Sequence, residues 1–176
     1  IRLILEMPSS GGLEARVGLL EAIEASGDGR WADLLLELAD ADEPEVAHAA
    51  VRAMTTVQDP RFLPLLVRRL SIRTGRATVR DALVALGEPA FEVLERALNA
   101  PQTPTRVRTH VPATLARFGT QRAADVLLDA LEATSDGRLR YKILRALRLL
   151  AESAEVRLER RRLEARVLRE LREHYR

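Results

Sequence analysis

Arginine supplies nearly all of this chain's capacity for strong polar chemistry: it occurs 27 times, against the single lysine Lys142. Four of the arginines, Arg16, Arg76, Arg108 and Arg140, recur at matching places along the sequence. A guanidinium forks onto phosphates and carboxylates, so such a column has two readings. It can hold an anionic ligand, or it can build an internal ladder with turn acids and helix-end carbonyls of the neighbouring segment, for which Asp42, Glu43 and Asp136 are at hand. The ladder is the expectation. A second set, Arg68, Arg69 and Arg73 with Arg96 beside them, is the candidate for contact with a partner, its plainer alternative being a solvated helix face.

Other chemistry is poorly provided for. His48, His110 and His174 are far apart, and none has a second imidazole or a carboxylate at metal-ligand spacing. Gly11-Gly12 and Gly27-Asp28-Gly29 lack the preceding strand and the following Lys-Ser/Thr of a phosphate loop. Asp40 and Asp42 read as turn and capping residues. The absence of cysteine removes disulfides, thiolate metal sites and cysteine nucleophiles. No side chain has the base and orienting group that nucleophilic catalysis needs. The expectation is a non-enzymatic protein with no catalytic, metal or cofactor site.

The elements that carry these arginines are helices. Of the 176 residues 47% are hydrophobic but only 3% aromatic, and no stretch alternates apolar and polar residues as a half-buried strand would. One register recurs five times, on anchors Ala15, Val46, Gly75, Val107 and Leu139, spaced 31, 29, 32 and 32 apart by subtraction. An arginine follows four of the anchors. At offsets seven and eight stands a small-plus-apolar pair: Ala22-Ile23, Ala53-Met54, Ala82-Leu83, Thr114-Leu115 and Ala146-Leu147. The closing position reads Gly27, Gln58, Gly87, Gly119 and Ala151. Offsets four, seven, eight and eleven share one helix face, which predicts a buried stripe, and glycine after it supplies the left-handed residue that ends a helix. Shorter second helices are predicted at residues 30–39, 61–72, 90–99 and 121–133. Trp31, Phe62 and Phe91 stand at one shared offset and are expected to wedge between layers. Pro64 falls in a first helical turn, where the missing N–H costs nothing. Pro112 lies inside a helix starting near Arg106 and should kink it.

The pattern of Val-Arg, Ala-Leu and Gly in Arg76 to Gly87 and Val107 to Gly119 resembles the HEAT repeat, in its short bacterial form of about thirty residues. This resemblance implies an all-α fold, an α-α superhelix: a right-handed solenoid of about five two-helix HEAT-like, armadillo-type repeats closed by a C-terminal capping helix. The units fall near 11–40, 43–72, 74–100, 103–134 and 136–152. Residues 1–10 read as the end of a preceding helical unit, and residues 154–176 as an arginine-rich cap. The last third, from Arg106 through Leu147, is similar to HEAT segments attached to bacterial ATP/ADP translocase-like or major-facilitator-like membrane proteins. That likeness implies a soluble cytoplasmic portion of a larger, inner-membrane protein, and Ile1 in place of Met fits an excised piece. No run of apolar residues here reaches the roughly 20 that a membrane helix needs.

Charge is unevenly spread. Residues 136–176 carry 13 basic and 7 acidic side chains, and the rest of the chain 15 and 19. The arginine-rich end admits a membrane-surface role through residues 157–176, against that of a solvated cap with interleaved glutamates. The second helices alternate in sign, a basic second unit lying between acidic neighbours. This disfavours nucleic acid, including the mode of the helical-repeat alkylpurine DNA glycosylases, and favours a protein partner. The expected function is a protein–protein interaction scaffold.

Overall fold

The computed structural model describes residues 9–153 together with 156 and 157, with side chains from residue 12 onward. The predicted preceding unit at residues 1–10 and the cap at 154–176 therefore lie almost wholly outside the described residues. Those described form an all-helical fold without a strand, of the helix-pair class that HEAT-like α-solenoids use. They divide into two compact units, 1–93 and 94–176, and the division falls within one helix.

In the first unit α1 (Ser9–Ser26) is followed by a 3-10 turn, Gly29–Trp31, that leads into α2 (Ala32–Ala39). The pattern repeats with α3 (Pro44–Val57), a 3-10 turn Pro60–Phe62 and α4 (Leu63–Arg69), and then α5 (Arg76–Ala85). The long first helices pack on one another, α1 on α3 and α3 on α5, and each second helix packs on the next first helix, α2 on α3 and α4 on α5. The helix α6 (Glu88–Asn99) carries the division. In the second unit come α7 (Thr105–Arg108), α8 (Val111–Leu115) with a 3-10 extension Ala116–Phe118, α9 (Gln121–Ala133) and α10 (Gly137–Ala151). Here α10 packs on α8 and α9.

Alternation of 3-10 turn and helix has a local cause. Asp28 and Asp59 each accept the backbone N–H two residues on, from Arg30 at 3.0 Å and Arg61 at 2.9 Å. Such caps satisfy a donor that the helix start leaves free. Thr120 caps α9 through Ala123 N, and Asp136 caps α10 by accepting from Arg138 and Leu139 N. Pro64 lies in the first turn of α4, as its missing N–H requires. At the helix ends, Gly27, Gly87 and Gly119 adopt positive φ of 63°, 64° and 66°. Gln58 takes the same left-handed place at 51°.

The small-plus-apolar pairs are buried as expected in α3, α5, α8 and α10. Burying each Leu, Ile or Met of this stripe stabilises by about 1.5–3 kcal/mol. In α1 the stripe is rotated: Leu20 and Ile23 are buried, Leu19 is half-buried and Ala22 is exposed. The equivalent side of α3 faces α1, where Thr56 Oγ1 donates to Glu24 O at 3.0 Å, while α1 has no preceding helix on that side among the described residues. Phe62 and Phe91 are buried, and Trp31 is half-buried. Pro112 does more than kink its helix. The chain breaks at Thr109 and His110, and α8 restarts with Pro112 in its first turn. Lacking an N–H, this proline cannot bond back to Arg108, and the start of a new helix is where that deficit costs least.

Candidate functional site

The recurring arginines form two lateral systems in which the cations of one helix meet the anions or carbonyls of its neighbour. Between first helices, Arg52 on α3 donates Nε to Glu24 at 2.6 Å and Nη2 to Glu21 at 3.3 Å on α1. These contacts hold the Arg52 guanidinium further into its charged form. Arg16 donates Nη1 to Glu43, at the start of α3, at 2.9 Å. Arg76 turns inward, donating Nε to Leu70 O at 2.7 Å and Nη2 to Ser71 O at 3.2 Å, two carbonyls at the end of α4. Burial, aided by the nearby charge of Arg73, lowers its pKa from the usual arginine value. Arg108 is half-buried in a hollow of about 140 Å³ with Asn99, Thr134 and Leu139, and Arg140 is half-buried on α10.

Between second helices the pairing is regular. In the first unit, Arg61 Nη1 lies 2.6 Å from Asp33 Oδ1, and Arg68 Nη2 bonds Asp40 Oδ2. Arg69 donates Nη1 to Ala39 O at 2.6 Å, with Asp40 Oδ1 at 3.7 Å. In the second unit, Arg122 Nη2 lies 3.1 Å from Glu95 Oε2. The basic island of α4 is therefore partly answered by the acids of α2, a pairing that spans two helices about thirty residues apart in sequence. Its signal was present: Asp33 and Asp40 are seven apart, and so are Arg61 and Arg68. Arg68 and Arg69 are thus both tied to the end of α2. Arg73 is exposed beyond α4, and Arg96 is exposed on α6.

Beside these arginines a groove of about 360 Å³ opens between α3 and α5, lined by Asp42, Ala47, His48, Val51, Arg69 and Ile72 among others. Ile72 is 43% exposed. His48 crosses from α3 to α5, with Nε2 3.3 Å from Thr78 Oγ1. Gly75, at φ 71°, passes so close to the imidazole that a Cβ would lie 3.0 Å from His48 Nδ1. His110 sits at the break before α8. His174 lies outside the described residues. No group of three or more histidines and acids that could hold a metal occurs among the described residues.

A family model described as HEAT repeats matches residues 73–148. That stretch is similar to HEAT repeats. It covers α5 through most of α10, and the helix pairs of residues 9–72 repeat the same construction outside it. A search of curated proteins finds no match to the chain. HEAT repeats commonly mediate protein–protein interaction, and no helix among the described residues is long and apolar enough to cross a membrane.

Proposed function

We propose that this chain is a non-enzymatic protein-binding scaffold, a regulatory or assembly part of a larger bacterial protein. The arginines Arg68, Arg69, Arg73 and Arg96 are its candidate partner contacts. The observation that carries this reading is the lateral pairing of the second helices, Arg61 with Asp33 and Arg68 with Asp40. Paired charges of alternating sign give a surface that orients a protein of complementary pattern but does not track a polyanion. Two members of the column Arg16, Arg76, Arg108 and Arg140 act structurally, Arg16 bonding Glu43 and Arg76 the carbonyls of Leu70 and Ser71, and the same role is proposed for Arg108 and Arg140.

The groove beside Ile72 adds an apolar foothold next to Arg69, the combination of anchor and charge that protein interfaces concentrate at their centres. The test uses a protein captured by the full chain and then purified. Arg73→Glu with Ile72→Ser should weaken its binding at least tenfold while leaving the thermal transition within a degree or two. Unchanged affinity would remove this face from the reading. Salt-sensitive retention of duplex DNA at low ionic strength would replace it with a nucleic-acid role.

A further inference from the structure

We propose that the outer face of α10 lies against an anionic lipid surface, with Tyr141, Leu144 and Leu149 set among the headgroups and Arg138, Lys142 and Arg145 meeting the phosphates. Two observations carry this, one apolar and one of charge. Leu139, Ile143, Leu147 and Leu150 bury one face of α10 in its core. Its opposite face holds three of the four large apolar side chains exposed among the described residues: Tyr141 at 57%, Leu144 at 41% and Leu149 at 56%. They fall along about 12 Å of helix. Single exposed leucines need no explanation, but a cluster of this kind marks contact with another apolar phase or chain. The repeat does not call for it. At the offset of Tyr141 from its anchor the other repeats place Val17, His48, Ala77 and Thr109, and at that of Leu149 they place Ala25, Thr56, Ala85 and Arg117. Leu144 shares its column with Leu20 and Val51, which are buried where Leu144 is open.

The charge around these side chains has a single sign. From Gly137 to Ala151 the helix contains no acid. Arg138 and Arg145 are exposed and Lys142 is half-buried, and none of the three pairs with an acid among the described residues. Lys142 Nζ and the Arg145 guanidinium lie 5.9 Å and 6.0 Å from the centre of the Tyr141 ring, so ring and cations form one patch. Arg148 beside them has Glu152 at 3.9 Å, just past the end of the helix. The second helices, by contrast, pair charges of alternating sign, a pattern suited to a protein surface. Uniform positive charge around exposed tyrosine and leucine suits an anionic bilayer, where tyrosine sits at headgroup level and leucine reaches the acyl boundary. A nucleic acid would use the cations but leave Leu144 and Leu149 in water. With five basic side chains in 15 residues α10 does not span a bilayer, so the contact is interfacial.

Because the chain has no cysteine, Leu144→Cys in the full chain takes an environment-sensitive fluorescent label at one place. Vesicles of phosphatidylglycerol and phosphatidylcholine should shift its emission to the blue, and brominated acyl chains should quench it at least twofold. The same label on Ala22→Cys, at an exposed position of α1, should show neither effect. Vesicle affinity measured by cosedimentation should fall at least tenfold for Arg138→Glu with Arg145→Glu, and likewise for Tyr141→Ser with Leu149→Ser, while thermal melts followed by circular dichroism stay within a degree or two of the parent. The proposal is overturned by vesicle binding that leaves the label on Leu144→Cys unmoved, by equal binding to pure phosphatidylcholine, or by no binding at low salt. A blue shift that grows with protein concentration in the absence of lipid would overturn it in favour of a second copy of the chain. A shift produced by duplex DNA would overturn it in favour of nucleic acid.

Discussion

Arg61 reaches back 28 positions to Asp33, and seven residues further on Arg68 reaches back the same 28 to Asp40. The anchors of the two repeats involved lie 31 apart. Each arginine therefore meets the residue about one helical turn beyond its own counterpart, the stagger of side-by-side helices running in one direction. Both partners of the Arg61–Asp33 pair are largely exposed, with 55% and 84% of the side-chain surface accessible. Such pairs set register more than they add stability. A double-mutant cycle on Asp33→Ala and Arg61→Ala should give a coupling of about 0.5 kcal/mol, falling toward zero in molar salt. Urea unfolding at low and high ionic strength measures it, and a coupling above about 2 kcal/mol that ignores salt would mean a desolvated pair instead.

The helix pairs were legible because their causes are local. Glycine at the closing position, acids and threonine at the caps, and apolar residues at helical spacing each act within a few residues. The wiring of the charges was not, because pairs such as Arg68 with Asp40 depend on the stagger between helices about thirty residues apart, which no single window contains. Pro112 shows a similar limit. Its missing N–H predicted a disturbance, but whether a helix bends or restarts depends on what packs around it, and here Val111, Pro112, Thr114 and Leu115 are all buried.

Gln58 stands in the column that Gly27, Gly87 and Gly119 occupy in three other repeats, and it bears the left-handed penalty that those glycines avoid. The penalty for an L-residue is about 1–2 kcal/mol, and the chain-entropy cost of a new glycine is about 0.5–1 kcal/mol. Gln58→Gly should therefore stabilise the chain by roughly 0.5 kcal/mol. The converse change, Gly119→Ala, meets open space, since no atom lies within 4 Å of the added Cβ. Its cost is then the backbone penalty less the entropy that glycine would have lost, roughly 0.5 kcal/mol. Denaturant midpoints moving in opposite directions would bear this out; a loss in both variants would mean that the Gln58 side chain has a role of its own.

Phe62 and Trp31 share an offset in the repeat but not an environment. Phe62 is fully buried under the start of α4, whereas Trp31 is half-buried at the start of α2. Phe62→Ala leaves a cavity in a packed layer and should cost about 3–5 kcal/mol, while Trp31→Ala should cost clearly less. Urea unfolding followed by far-ultraviolet circular dichroism separates the two. Equal losses would contradict the reading that the aromatic wedge acts in proportion to its burial.

Acid should weaken the chain partly through its turn aspartates. Asp59 accepts hydrogen bonds from Arg61 Nε and the Arg61 backbone N–H, and Asp28 does the same with Arg30; in both, the bond to the arginine side chain is the chief cause holding the carboxyl below the usual aspartate range. The folded pKa is thus lower than the unfolded one, near 3.9. The unfolded chain takes up these protons first as pH falls. The stabilisation is therefore complete above about pH 5 and is lost as pH drops through the unfolded value toward the folded one. Asparagine at both positions keeps an acceptor for the backbone N–H but removes the titration and the charge-assisted bond. Asp28→Asn with Asp59→Asn should be slightly less stable at pH 7 and should lose less stability between pH 5 and pH 3 than the parent. Parallel slopes for parent and variant across that window, measured by urea unfolding at fixed ionic strength, would assign the acid sensitivity to other carboxylates.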